Sequence, residues 1–278
     1  MGHTIAVMNA KGGVGKSTVV QALAETLAGE LGKRVLVIDS DAQGSVSYML
    51  AGPQRFTALQ NSERTLLQLI AGAVLGTPDG DWQRYVVDGV SDLDEMKGLH
   101  LLPSSTELTL LEREISRAQK EAEVRAAVRK MLTEMKAQFD YIFIDCPPGL
   151  SIVTETWLRE ADFYIAPTRP DYISACGLLF FNQFRQRNPE MGFAKTLGVL
   201  VSMKDERSSL DNEFHAWLKR DPQNRCFETV LPRALALQHA GSFVSGKRSF
   251  MVKYPGDAGA AVKKLVSEVV LRTKSPIA

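Results

Sequence analysis

The segment Ala10-Lys11-Gly12-Gly13-Val14-Gly15-Lys16-Ser17-Thr18 brings three glycines, two lysines and two hydroxyl side chains into nine positions. Glycines let backbone N–H groups converge on phosphate oxygens. A lysine behind them can reach a β/γ-phosphate pair, and the serine after it can ligate Mg²⁺. The spacing fits G-x-x-x-x-G-K-[ST] except at the first glycine, where Ala10 stands. Lys11 lies outside that scheme. At the start of the loop it points away from the pocket that Lys16 serves, either into solvent or toward a nucleotide on a second subunit.

Three carboxylates fall where such a loop needs them. Asp39, Asp41 and Asp145 each come after an apolar run, which places them at the carboxyl edge of a sheet, where open α/β sheets bind ligands. Phosphoryl transfer to water needs the metal held, the water oriented and the developing charge neutralised. On that logic Ser17 contacts Mg²⁺ directly, Asp145 belongs to its water shell and Asp39 supports the metal side. A lone aspartate at a strand end is ordinarily a turn former or helix cap; three beside a phosphate loop form a set.

These residues require particular elements beneath them. Thr4–Met8 reads as a strand, and Val20, Leu23, Leu27 and Leu31 recur at helical spacing after the loop, with Gly32-Lys33 closing the helix. Arg34–Ile38, Leu99–Leu102, Tyr141–Ile144, Phe163–Ala166 and Thr196–Val201 are further runs suited to buried strands. Helical patterns such as Val124, Val128, Leu132 and Met135 separate them. Continuous rather than alternating apolarity predicts a doubly wound α/β fold, its mainly parallel sheet covered by helices on both faces. The chain reads as one domain over 1–278, with an irregular peripheral excursion at about 51–98, polar and rich in turn formers apart from Thr65–Ile70.

Composition removes other classes. The 278 residues are 45% hydrophobic and 23% charged, with no apolar run near the ~20 residues that span a bilayer. Nothing in the N-terminal residues has the order of a signal peptide, so a cytoplasmic location is expected. Cys146, Cys176 and Cys226 have neither redox-pair nor zinc spacing. The net charge of +1 conceals a polarity, because residues 1–180 carry 17 Lys and Arg against 23 Asp and Glu whereas 181–278 carry 16 against 9. A basic C-terminal part of this kind can meet a polyanion.

Lys11–Thr18 resembles the deviant Walker A motif, KGGxGK[ST], of the ParA/MinD family of P-loop ATPases. The likeness extends through Val35–Gly44 to the DxDPQG segment of that family, through Tyr141–Pro148 to its Walker B strand, and through Val230–Gly246 to its nucleotide-side loop and helix. The ParA branch is the nearer. The resemblance implies ATP and Mg²⁺ as cofactors, slow partner-stimulated hydrolysis, and a homodimer with ATP at its interface. In that dimer Lys11 acts in trans, Asp41 orients the attacking water, and Pro232 and Ala234 flank the adenine. Gly12, Gly13, Val14, Gly15, Lys16, Ser17 and Thr18 cradle the phosphates. Ala42 replaces the usual proline after the catalytic aspartate and Ala10 a common glutamine, and neither change removes a charge.

The same resemblance implies a switch that positions plasmid or chromosomal DNA, or a protein assembly, through ATP-dependent non-specific binding to double-stranded DNA and an adaptor protein that stimulates hydrolysis. It implies a nucleoid-associated location as well. Candidate DNA contacts are Arg233, Lys247, Arg248, Lys253, Lys263 and Lys264. With the first strand starting at about residue 3, no helix-turn-helix module is expected ahead of it. The alternative, a MinD-like membrane positioner, would use a C-terminal amphipathic tail. The stripe Ala261, Val262, Leu265, Val266, Val269 and Val270 lacks aromatics and reads instead as the core face of a final helix. An iron-sulfur reductase would need paired interface cysteines, and a tyrosine kinase relative a C-terminal tyrosine cluster, whereas Tyr254 stands alone.

Overall fold

In the computed structural model, residues 1–75, 81–94 and 96–274 are described. The apolar runs become six strands, β1 (His3–Val7), β2 (Val35–Asp39), β3 (Leu99–Leu102), β4 (Tyr141–Asp145), β5 (Phe163–Thr168) and β6 (Lys195–Val201). They form one parallel sheet in the order β3-β2-β4-β1-β5-β6. Central strands buried on both faces must be apolar throughout, and β2 and β4 are buried at every position.

Twelve α-helices are described, running α1 (Lys16–Gly29), α2 (Ser45–Ala51), α3 (Pro53–Asn61), α4 (Leu66–Leu75), α5 (Leu108–Ala118), α6 (Glu121–Met135), α7 (Ile152–Glu160), α8 (Tyr172–Arg187), α9 (Ser209–Arg220), α10 (Leu235–Ala240), α11 (Phe250–Lys253) and α12 (Gly256–Lys274). One face of the sheet packs against α1, α2, α3, α10 and α12 and the other against α4 to α9, giving two apolar clusters. Helices on both faces of a parallel sheet make the fold doubly wound, as the strand apolarity predicts.

Two expectations change. Among its described residues the excursion at 51–98 is regular in its first part, where α3 and α4 lie, and it is not merely peripheral, since Phe56, Leu66, Leu69, Ile70 and Trp82 are all buried. Its polar turn formers mark the ends of short helices, while one apolar side of each helix reaches the core. Leu31 is not on the face of α1: the helix ends at Gly29, Gly32 takes φ +60°, the Lys33 N–H returns to the Leu27 carbonyl, and Leu31 is left exposed. The C-terminal stripe does pack as core. Val262, Leu265, Val266 and Val269 on α12 are buried, with Ala261 and Val270 against them. Among the described residues no helix is long and apolar enough to cross a membrane.

Candidate functional site

The register of the sheet assembles the site. Val7 at the end of β1 is level with Asp145 at the end of β4, and Asp145 is level with Asp39 at the end of β2. The loop 10–15 leaves β1 at this edge and enters α1 through Gly15, which adopts φ +87° as the residue preceding the helix. Gly13 also has positive φ, +73°. A Cβ at Gly12 or Gly13 would meet no protein atom within 4 Å, so packing inside the chain does not explain why side chains are absent there. Open space above convergent N–H groups at a helix N-terminus suits a phosphate.

The loop is braced from below. Asn9 donates through Nδ2 to the Pro167 carbonyl at 2.8 Å and accepts from the Lys11 N–H at 2.9 Å. The Ser202 hydroxyl donates to the Val14 carbonyl at 2.7 Å from the far end of β6. Neither brace is anticipated from the sequence; each is a small polar residue terminating an apolar run, and that is the signal that could have found it. Lys16 is buried, its Nζ 3.5 Å from the Lys11 carbonyl. Burial lowers its pKa, while the charges of Asp145 and Asp41 act in the opposite sense. The Lys11 side chain is exposed, with its Cβ beside Gly177 of α8.

The three aspartates separate by environment. Asp145 is fully buried and neither carboxylate oxygen has a hydrogen-bond partner. Burial and then the Asp39 charge push its pKa well above the carboxylate range, while nearby Ser17 and Lys16 oppose the shift. A buried orphan carboxylate is costly unless a cation completes it. Asp145 with Ser17 therefore fits a Mg²⁺ site. Among the described residues no group of three His, Cys, Asp or Glu side chains is set to hold a metal unaided, and Mg²⁺ ordinarily completes its shell with water and substrate phosphates.

Asp39, expected to support the metal side, is fully buried and tied to its own loop. Its carboxylate accepts from the Ser47 N–H at 2.8 Å, the Ser47 hydroxyl at 2.6 Å and the Asp41 N–H at 3.2 Å, so it is engaged by protein donors and positions the Asp41 loop. Burial pushes its pKa up to about 7 against those bonds. Asp41 itself is half-buried, accepts from the Gln43 N–H, and is pinned by the Ser104 hydroxyl on its carbonyl at 2.6 Å. Cys146 is buried, and burial raises its pKa, which suits a filler and not a nucleophile.

Beside the loop lies a cavity of about 430 Å³ lined by Gly15, Thr18, Met203, Pro232, Ala234 and Leu237, among others. It is large enough for an aromatic base and mostly apolar, and Pro232 and Ala234 lie on its wall. Met203, at φ +56°, was not anticipated.

The basic candidates do not form one patch. Lys253 is fully buried and pairs with Glu25 and Asp92 at 2.6 Å each, so it is unavailable to DNA. Its four-carbon stem and the two acids beneath it draw the ammonium inward. Arg248 is mostly buried and pairs with Asp92 at 2.8 Å, which removes it as well. Lys263 is exposed but pairs with Glu30 at 2.5 Å. Lys247 is exposed and donates to the Ser91 carbonyl; Arg233 and Lys264 are exposed with no ion pair among the described residues.

A phosphate cradle between β1 and α1 of a parallel sheet, with acids at the adjacent strand ends, defines a P-loop nucleotide-binding protein. The sequence profile of a family described as an AAA domain matches residues 2–191. The chain is 32% identical over 276 residues to the chromosome-partitioning ATPase Soj of Thermus thermophilus, covering 97% of this chain and 96% of that one. It is 28% identical over 280 residues to the chromosome partitioning protein ParA of Caulobacter vibrioides, covering 98% and 95%. In fold it is similar to the septum site-determining protein MinD of Pyrococcus horikoshii complexed with Mg-ADP, with a TM-score of 0.70, 20% identity and full coverage of both chains. The chain belongs to the ParA/MinD family of P-loop ATPases.

Proposed function

We propose that this protein is an ATP-hydrolysing dimerisation switch that positions a cargo, DNA or a protein assembly, by binding non-specific duplex DNA in its ATP state. The observation that carries the reading is the orphaned Asp145 carboxylate at the foot of an open glycine loop, with buried Lys16 and near Ser17. ATP with Mg²⁺ is the ligand this arrangement fits. When bound, the metal would neutralise charge on the phosphates. The chain's own residues do the rest. Gly12 to Gly15 present N–H groups, Lys16 holds the terminal phosphates, and Ser17 and Asp145 hold the metal side.

Asp41 orients the attacking water and takes its position from Asp39 and Ser104. Lys11, exposed at the rim, reaches the nucleotide of a second subunit, so that the ATP state is the dimer. Pro232 and Ala234 flank the base. The partition names of the relatives support a positioning role. Exposed Arg233, Lys247 and Lys264 are the DNA contacts left at the surface, with Lys263 available if its pair with Glu30 opens.

The test is multi-angle light scattering of the protein with ATP, with ADP and without nucleotide, alongside Lys11→Ala. Dimer with ATP alone, lost in Lys11→Ala although nucleotide still binds, supports the reading. ATP-dependent dimerisation that survives Lys11→Ala removes the trans role. ATP-dependent recruitment to anionic liposomes in place of DNA would replace the DNA track with a membrane.

A further inference from the structure

The strand ends opposite the nucleotide loop carry a second built feature. Arg34 immediately precedes β2, Phe139 closely precedes β4, and these two line a cleft of about 390 Å³ with Arg55, Arg64 and Trp82. This is the amino edge of the sheet, on its β3 side, and the cleft shares no residue with the base cavity. Arg55 donates from both terminal nitrogens to backbone carbonyls, to Gly89 at 2.8 Å and Asp88 at 2.7 Å. Arg64 donates from Nε to the Arg84 carbonyl at 3.1 Å, and the Arg34 guanidinium lies 5.4 Å from the centre of the Phe139 ring.

Carbonyls and a ring face orient guanidiniums without cancelling their charge. Among the described residues none of the three arginines is in an ion pair, and Asp88 is the one carboxylate of the cleft wall. Three exposed guanidiniums outside any ion pair, facing a single carboxylate around a concavity, match a phosphate group better than a surface of solvated lysines would. The cleft also runs on. A neighbouring hollow of about 500 Å³ shares Arg34 and Phe139 with it and adds Lys33, Lys136 and Lys274 against one carboxylate, Asp140, which accepts from the Arg34 N–H at 2.8 Å, so the net positive wall extends beyond the reach of a single phosphate.

We propose that this arginine cleft is a second phosphate-binding site, independent of the nucleotide loop, for a ligand carrying at least two phosphates. The chemistry can come from a free polyphosphate compound or from a phosphodiester backbone, and one experiment separates them.

Inorganic pyrophosphate is titrated calorimetrically into protein saturated with a non-hydrolysable ATP analogue, for the parent, for Arg34→Gln/Arg64→Gln, and for Arg34→Lys/Arg64→Lys. The parent should keep a pyrophosphate site, the glutamine pair should bind at least tenfold more weakly, and the lysine pair should lie between, with analogue affinity unchanged in all three. The lysine pair keeps the charge and guards against misfolding, which a thermal melt of each variant checks. Fluorescence anisotropy with a duplex DNA then assigns the source. A salt slope reduced by about 2 in the glutamine pair marks a phosphodiester backbone; an unchanged slope beside lost pyrophosphate binding marks a free compound. Absence of a pyrophosphate site in the analogue-saturated parent, or equal affinity in the glutamine pair, overturns the proposal.

Discussion

Asp39 and Asp145 stand level across β2 and β4, both fully buried, and only one of them is satisfied. Three protein donors hold Asp39, whereas neither oxygen of Asp145 has a partner within hydrogen-bond distance, the nearby Ser17 hydroxyl only favouring its charged form. The difference lies in the chain beyond each strand. After β2 it turns through Asp41 and returns Ser47 on the first turns of α2. After β4 it runs into Pro147 and Pro148, which have no N–H to give, and the Cys146 N–H is taken by the Val7 carbonyl. Two adjacent prolines thus keep a carboxylate without backbone partners at the place where a cation is needed.

Asp145→Asn should therefore stabilise the nucleotide-free protein while weakening Mg²⁺-dependent ATP binding. A carboxyl whose folded pKa is raised is at no disadvantage below its unfolded value near 3.8 and loses stability as pH rises through the folded value. The gain of the variant should grow from acid toward pH 8 and reach about 1–2 kcal/mol. Thermal melts without nucleotide across that range, paired with ATP titrations with and without Mg²⁺, check it. A variant less stable than the parent at pH 8 would mean that Asp145 is satisfied without a cation.

The phosphate loop, the strands of the sheet and the acids at its edge were legible because each is a local signal. Glycines, a lysine and a hydroxyl fall in fixed spacing, and short apolar runs end in Asp. The boundary of α1 was not, since Leu31 keeps helical spacing and only the turn at Gly32 shows that the helix has already stopped. Nor was the difference in hydrogen bonding between Asp39 and Asp145, which depends on Ser47 arriving eight residues later. Lys253 looked like surface because its partners, Glu25 and Asp92, are remote in sequence and meet it only in the fold.

Lys16→Ala should lower ATP affinity by about a hundredfold or more, roughly 3 kcal/mol, since the terminal phosphates lose their buried positive partner. Its Nζ makes one hydrogen bond inside the chain, at 3.5 Å to the Lys11 carbonyl, and the fold should survive. Calorimetric titration with ATP, alongside circular dichroism, is the check. Retained micromolar affinity in a folded variant would displace the phosphates from this loop.

Lys253→Met should destabilise the protein by about 3–5 kcal/mol, because Glu25 and Asp92 would remain buried with their shared cation gone. On a chain of this size that lowers Tm by roughly 5–9 °C. The cluster also has a pH signature. Burial works against ionisation of Asp92, but the Lys253 hydrogen bond, the Val244 N–H and the Lys253 and Arg248 charges outweigh it and hold its pKa below 3.8. A depressed carboxylate contributes stability above its unfolded pKa and loses it as pH falls through the lower folded value. Asp92→Asn should therefore cost more at pH 7 than near pH 3, read from denaturant melts at the two values. Equal costs would place the contribution of Asp92 in packing alone.

Nucleotide state should govern how the basic residues that remain exposed meet DNA. One subunit offers Arg233, Lys247 and Lys264, with Lys263 tied to Glu30. A two-fold dimer presents two such sets on one body, and the second binds at the effective concentration set by the first. ATP should tighten binding to duplexes of unrelated sequence, and ADP should not. Because phosphate contacts release counterions, affinity should fall steeply with salt, and each contact removed should lower the log–log slope by about 1. Lys247→Ala/Lys264→Ala should show that flattening; a charge-removing change at Lys253 should act only through stability, since its ammonium never reaches solvent. The measurement is anisotropy on two random-sequence duplexes over a salt series, with ATP in an Asp41→Ala background, where loss of the residue proposed to orient water should keep the ATP state from turning over. DNA binding that is indifferent to nucleotide would detach the basic residues from the switch, and equal slopes in parent and double variant would move the contacts elsewhere, the arginine cleft being the next surface to test.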